Sequence, residues 1–162
     1  MKKRNGFTLV EVMVTVAVMG VLAGIVGITM GVLLGQRVKS MAADTKSVFQ
    51  STQIAAMSRD DAYIVFKQNG SDAEVVAYSS AGNKISSATA HNVSMTLVFN
   101  GSDEVNPSSE VTVHFNRQTG GLKPQSAGEG GDAGSYLSAI ILRNGNREIR
   151  LRISKLTGKV TY

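Results

Sequence analysis

The alternation of apolar and polar positions divides the chain into three parts. Lys2, Lys3, Arg4, Asn5 and Gly6 form a short basic lead. Phe7-Thr8-Leu9-Val10-Glu11 then opens an apolar run with no charged residue from Val12 to Leu34. At about 1.5 Å per residue that run makes roughly 35 Å of helix, against a bilayer core of about 30 Å. The pattern predicts a membrane-crossing helix whose basic lead holds the amino end on the cytoplasmic side. The run is too long for the apolar region of a secretory signal peptide, and no Ala-x-Ala-like site closes it. One carboxylate, Glu11, sits just inside the run at a cost of about 1–3 kcal/mol, which marks it as a functional position in need of a positive partner.

After Gly35 the period stays helical but becomes amphipathic. Val38, Met41, Thr45, Val48, Phe49, Thr52 and Ala56 recur at helical spacing, while Arg37, Lys39, Asp44, Lys46 and Gln50 take other faces. The pattern fades at Ser58-Arg59-Asp60-Asp61. One helix from about Phe7 to Met57, roughly 75 Å long, is expected, its second half packed on a head.

From Ala62 the period shortens to that of strands. Strands are predicted at Tyr63–Lys67, Glu74–Ser79, Val93–Phe99, Val111–Phe115, Tyr136–Leu142, Arg147–Ile153 and Lys159–Tyr162, with turns at Asn69-Gly70 and Asn144-Gly145-Asn146. Residues 122–135, rich in glycine, read as a flexible surface loop. The fold class is α+β: a long N-terminal helix packed on an antiparallel β-sheet head.

Charge sharpens this division. The formal net charge is +5, but Lys2, Lys3 and Arg4 supply much of it. The middle of the chain is mildly acidic, whereas Arg143, Arg147, Arg150, Arg152, Lys155 and Lys159 face Glu148 alone at the end. In the Arg147–Ile153 strand, Ile149, Leu151 and Ile153 are expected inward, sending Arg150 and Arg152 outward with Glu148. Such a stripe can neutralise phosphates, so DNA is a candidate partner through these six basic residues; a solvated or subunit-facing strand is the plainer reading.

No catalytic constellation is evident, and neither a cofactor nor a metal site is expected. There is no cysteine, and His91 and His114 stand far apart without a ligand at metal spacing. Residues 128–134 lack the Gly-Lys-Ser/Thr ending of a phosphate loop and read as linker. Asp60-Asp61 reads as the solvated end of the helix. The Asn-x-Ser triplets at Asn69, Asn92 and Asn100 carry no weight without a glycosylating host.

Gly6-Phe7-Thr8-Leu9-Val10-Glu11, behind a basic lead and ahead of a long apolar helix, resembles the class III signal of type IV prepilins and pseudopilins. The resemblance implies cleavage between Gly6 and Phe7 by a prepilin peptidase, N-methylation of Phe7, and pairing of Glu11 with the terminal amine of a neighbouring subunit. Gly20, Gly24, Gly27 and Gly31 form small-residue stripes suited to close helix packing. The family's common helix proline is replaced by Ile28. The head is similar to the minor pseudopilin and FimT-like group, some of whose members bind DNA through an arginine-bearing C-terminal segment. These readings give a leader at 1–6, a membrane or filament-core helix at 7–35, an amphipathic helix at 36–58 and a β-rich head at 59–162. The expected protein is not an enzyme but a structural subunit of a type IV pilus or secretion-type filament. Its implied partners are prepilin peptidase, other pilin subunits and, before assembly, the inner membrane, with the head outside. The alternatives are a DNA-uptake minor pilin and a membrane-anchored adhesive module that does not polymerise.

Overall fold

A computed structural model describes residues 8–58, 61–101 and 103–162, with the side chains of residues 25–34 and 103 outside that description. The first element is one helix, α1 (Leu9–Met57). It starts where Thr8 accepts the Glu11 backbone N–H on Oγ1 at 3.3 Å, an N-cap that satisfies one of the free donors of the first turn. No proline interrupts it, in keeping with Ile28 at the position where a kink could have formed. The chain divides into two compact units at Leu34/Gly35. Among the described residues no helix is long and apolar enough to cross a membrane. The expected span depends on residues 25–34, whose side chains are not among those described.

In the first unit the described helix exposes apolar side chains around its whole circumference, among them Leu9, Val10, Met13, Val16, Met19 and Leu22. A helix that is apolar all round has no solvated face of its own and needs lipid or protein around it.

The second unit, Gly35–Tyr162, holds the carboxyl half of α1 and nine strands among the described residues: β1 (Tyr63–Asn69), β2 (Asp72–Tyr78), β3 (Lys84–Ala90), β4 (Ser94–Phe99), β5 (Asp103–Val105), β6 (Val111–His114), β7 (Leu137–Asn144), β8 (Arg147–Ile153) and β9 (Val160–Thr161). They form two antiparallel sheets, ordered β3-β2-β1-β6 and β5-β4-β7-β8-β9. One hydrophobic core joins them to the helix. Val38, Met41, Ala42, Val48, Phe49 and Ala56 of α1 meet Ile64, Phe66, Val75, Val111, Val113 and Phe115 of the first sheet and Met95, Leu97, Phe99, Ile140, Leu142 and Leu151 of the second. Thr45 and Thr52 are buried in the same stripe, Thr52 donating its hydroxyl to the Val48 carbonyl at 2.6 Å.

Two of the observed strands are additional to those expected. β3 (Lys-Ile-Ser-Ser-Ala-Thr-Ala) has one large apolar residue, Ile85, and that one faces solvent, so it carries no alternating signal. Pairing with β2 holds it in place, and Ser86 Oγ lies 2.8 Å from Ser51 Oγ on the helix. β5 is three residues long, next to Pro107. In β7 the pairing with β4 shifts register between Val98 and Phe99, leaving Ser138 as the extra residue of a bulge. Leu137 and Ile140 therefore both face inward.

Residues 122–135 are irregular, as expected, but they are not a free linker. Lys123 N–H donates to the His114 carbonyl (2.9 Å) and Thr112 N–H to the Glu129 carbonyl (2.9 Å), covering the exposed edge of β6. Leu122, Gln125 and Ser135 are buried. Two of the glycines here serve close packing: a Cβ on Gly130 would sit 2.6 Å from Val111, and one on Gly131 would sit 3.1 Å from the Phe99 ring.

Candidate functional site

The amino-terminal candidate begins in residues that lie outside those described: Gly6, Phe7 and the basic lead. Its first visible group is Glu11, exposed in the first turn of α1. A carboxylate there interacts favourably with the helix dipole, worth about 0.3–1 kcal/mol. Thr8-Leu9-Val10-Glu11 also has the sequence form of a capping box, with the Thr8 half of it formed. Gly20 and Gly24 are open, with no atom within 4 Å of an added Cβ, which leaves room for a neighbouring backbone. Gly27 and Gly31 fall within the undescribed side-chain segment.

The carboxyl-terminal candidate is built on β7 and β8. Their hairpin turns through Gly145 and Asn146, with Gly145 at φ 55°, a glycine in the first central position of a two-residue turn. That register puts Arg150 opposite Ile141, Arg152 opposite Ala139 and Arg143 opposite Glu148 on one face of the second sheet. Arg150 and Arg152 are exposed, while Val98, Ala139 and Ile141 beside them are buried as a small apolar cluster. The long aliphatic stems of the arginines suit such a strip, keeping their charged ends in water.

The structure separates the six basic residues into different roles. Arg143 Nε donates to Glu148 Oε2 at 2.7 Å, and this carboxylate raises the guanidinium above its ordinary pKa. Arg147 lies beside Gly35 of the helix, its Nε 3.8 Å from where a Cβ would stand. Lys155 sits 5.5 Å from the centre of the Tyr136 ring. Arg152 and Lys159 come together across a cleft of about 380 Å³ that also includes Ser154, Thr157 and Thr161. The loop from Ser154 to Lys159 is fixed from below. Gln53 on α1 donates Nε2 to the carbonyls of Gly120 and Thr157. Gly158 adopts φ 63°, and a Cβ there would lie 2.4 Å from the Gly120 carbonyl oxygen.

The two histidines each have one acidic neighbour. His91 Nδ1 is 2.8 Å from Asp72 Oδ2; hydrogen bonds from His91 and the Asn92 N–H lower the Asp72 pKa. His114 Nε2 is 3.3 Å from Glu129 Oε1 and its ring packs on Tyr63, which stacks on Tyr78. Asp61, expected at the solvated end of the helix, lies 3.7 Å from Lys123; Asp60 is outside the described residues. Among the described residues no cluster of His, Cys, Asp or Glu could hold a metal ion.

The described part of the amino-terminal helix thus presents exposed apolar side chains all round. Residues 1–27 match the family model of the prokaryotic N-terminal methylation motif, which supports a type IV pilin-like protein processed by prepilin peptidase. The motif points to a structural subunit. The helix packed on antiparallel sheets is consistent with a pilin-like fold. Comparison with curated proteins and with solved structures gives no significant match.

Proposed function

We propose that the chain is a minor pilin or pseudopilin, a subunit of a type IV pilus or of a type II secretion-type filament. The observation that carries this reading is the methylation motif running directly into a helix with apolar side chains on every described face. Before assembly residues 7–35 span the inner membrane, with the amino end cytoplasmic and the head outside. After cleavage between Gly6 and Phe7 and methylation of Phe7, the helices pack together in the filament core and Glu11 pairs with a neighbour's terminal amine. Gly20, Gly24, Gly27 and Gly31 permit close approach of those helices. Protein recovered from the producing cell is expected to begin with N-methyl-Phe7 by amino-terminal mass spectrometry; an intact Met1 on the mature protein would overturn the reading.

A second reading concerns the head. Arg150, Arg152 and Lys159 have no acidic partner among the described residues, and Arg152 shares its cleft with Lys159 and three hydroxyls. That arrangement favours phosphate contact and supports a DNA-uptake role for the filament. Gel-shift binding by the chain in detergent is expected to weaken with added salt and by about tenfold in the Arg150→Ala, Arg152→Ala double variant, as two phosphate contacts are lost. Equal binding by the double variant excludes this strand as the DNA contact. Arg143, held by Glu148, is expected to contribute less than either.

A further inference from the structure

We propose that a second cleft, between the turn after β4 and the segment after β8, is a binding site for a small carboxylate ligand. It has a volume of about 320 Å³, at the small end of ligand pockets. Leu137 and Ile153, both buried, give it apolar surface. Its polar groups come from Asn100, Tyr136, Ser138 and Lys155.

The hydrogen-bonding state of those groups fixes the kind of ligand that fits. Asn100 donates its N–H to the Tyr136 carbonyl (3.0 Å) and accepts the Tyr136 N–H on Oδ1 (3.0 Å). The side-chain NH2 of Asn100 makes no hydrogen bond among the described residues. Ser138 Oγ has its donor committed to the Val98 carbonyl (2.9 Å) and accepts the Gly101 N–H (3.0 Å). The Tyr136 hydroxyl has no hydrogen bond among the described residues, and Lys155 has the Tyr136 ring at 5.5 Å but no carboxylate partner. What remains is one cation, one amide donor and one phenol, with no acidic side chain in the lining. A single positive charge complements a monoanion, and the apolar floor accommodates a carbon body, so the arrangement matches a carboxylate rather than a phosphate dianion.

The site is also organised without a ligand. Asn100 and Gly101 adopt φ 50° and 93°, left-handed conformations that this residue pair tolerates. The reciprocal bonds to Tyr136 and the Ser138 clamp hold that turn, and the ring holds the Lys155 ammonium close by. Little ordering remains to oppose binding. Of the six basic residues considered for DNA contact, Lys155 alone lines this cleft, Arg150, Arg152 and Lys159 do not, and the site does not depend on the filament reading.

The carboxylate could belong to a sugar acid or to an acidic amino acid, and the same experiment separates them. The full-length, nitrogen-15-labelled chain in detergent micelles is titrated with D-galacturonate and with N-acetyl-glutamate α-amide, each a monoanion. Each is compared with its neutral counterpart, D-galactose or N-acetyl-glutamine α-amide. At least one acid is expected to shift the Asn100 side-chain amide and the Gly101 and Tyr136 backbone signals saturably, and to bind at least about tenfold more tightly than its neutral counterpart. The acid that binds more tightly names the source. Lys155→Met, which keeps the stem and removes the charge, is expected to weaken that acid about tenfold while leaving distant signals unchanged. The proposal is overturned if neither acid moves these signals, if acid and neutral analogue bind alike, or if Lys155→Met binds undiminished.

Discussion

Phe49→Ala is expected to lower the unfolding free energy of the head by about 3–5 kcal/mol, the range for removing a fully buried aromatic side chain. Phe49 is 1% exposed and is the point where the helix meets the first sheet. Its ring lies 6.0 Å from that of Phe66 and 5.8 Å from that of Phe115, the latter edge to face at 74°. Truncation removes the apolar burial, leaves a cavity between rigid neighbours and breaks both aromatic pairs, each worth about 0.5–1.5 kcal/mol beyond area. Domains of this kind are stable by about 5–15 kcal/mol, so the loss is a large fraction of the whole. Urea unfolding of the 35–162 unit, followed by circular dichroism, measures it. Ile54→Ala is the internal control, since Ile54 lies on the same helix but is 69% exposed; it should change stability by less than about 0.5 kcal/mol. Equal effects of the two substitutions would contradict the helix–sheet packing.

That contrast was readable from periodicity alone. The spacing of Val38, Met41, Thr45, Val48, Phe49, Thr52 and Ala56 puts them on one face, and all seven are buried. Strand β8 was readable with the same ends, because Ile149, Leu151 and Ile153 alternate with charged residues. What escaped was set by neighbours rather than by local pattern. β3 is small and polar, and exists because β2 and the helix offer partners. The bulge at Ser138 changes which residues of β7 face inward, and no spacing in the sequence announces it. The glycines of 122–135 suggested freedom, whereas Gly130 and Gly131 are there because Val111 and Phe99 leave no space for a side chain.

The candidate sites divide along the same line. A processing signal is a linear string, so Gly6, Phe7 and Glu11 stand out without a fold. Arg150 and Arg152 were placed on a common face by strand alternation. The neutralisation of Arg143 by Glu148 follows from the register: a two-residue turn at Gly145-Asn146 sets Arg143 opposite Glu148. The cleft of Asn100, Tyr136 and Lys155 has no such local signal. Its members lie far apart in sequence, and which atoms of Asn100 Tyr136 engages follows only from the fold.

Glu11→Gln is expected to reduce incorporation into filaments by more than a hundredfold while leaving cleavage after Gly6 intact. This rests on the proposed pairing of Glu11 with the terminal amine of a neighbouring Phe7. Two explanations for a carboxylate at this position differ sharply in size. If Glu11 merely complements the dipole of its own helix, its loss costs about 0.3–1 kcal/mol, at most severalfold in assembly. If it neutralises a buried amine, removing it strands that charge at about 3–5 kcal/mol, a factor of a hundred or more. The glutamine keeps the shape of the side chain and one acceptor oxygen while removing the charge. Thr8→Ala provides the comparison. It deletes the hydroxyl that accepts the Glu11 N–H, at a cost of about 1 kcal/mol, and leaves the carboxylate in place. Immunoblots of sheared filament and membrane fractions, normalised to mature subunit, report both variants. A hundredfold loss for Glu11→Gln beside a severalfold loss for Thr8→Ala assigns the role to the charge. Comparable losses would reduce Glu11 to part of a helix cap and leave the neighbouring amine without its proposed partner.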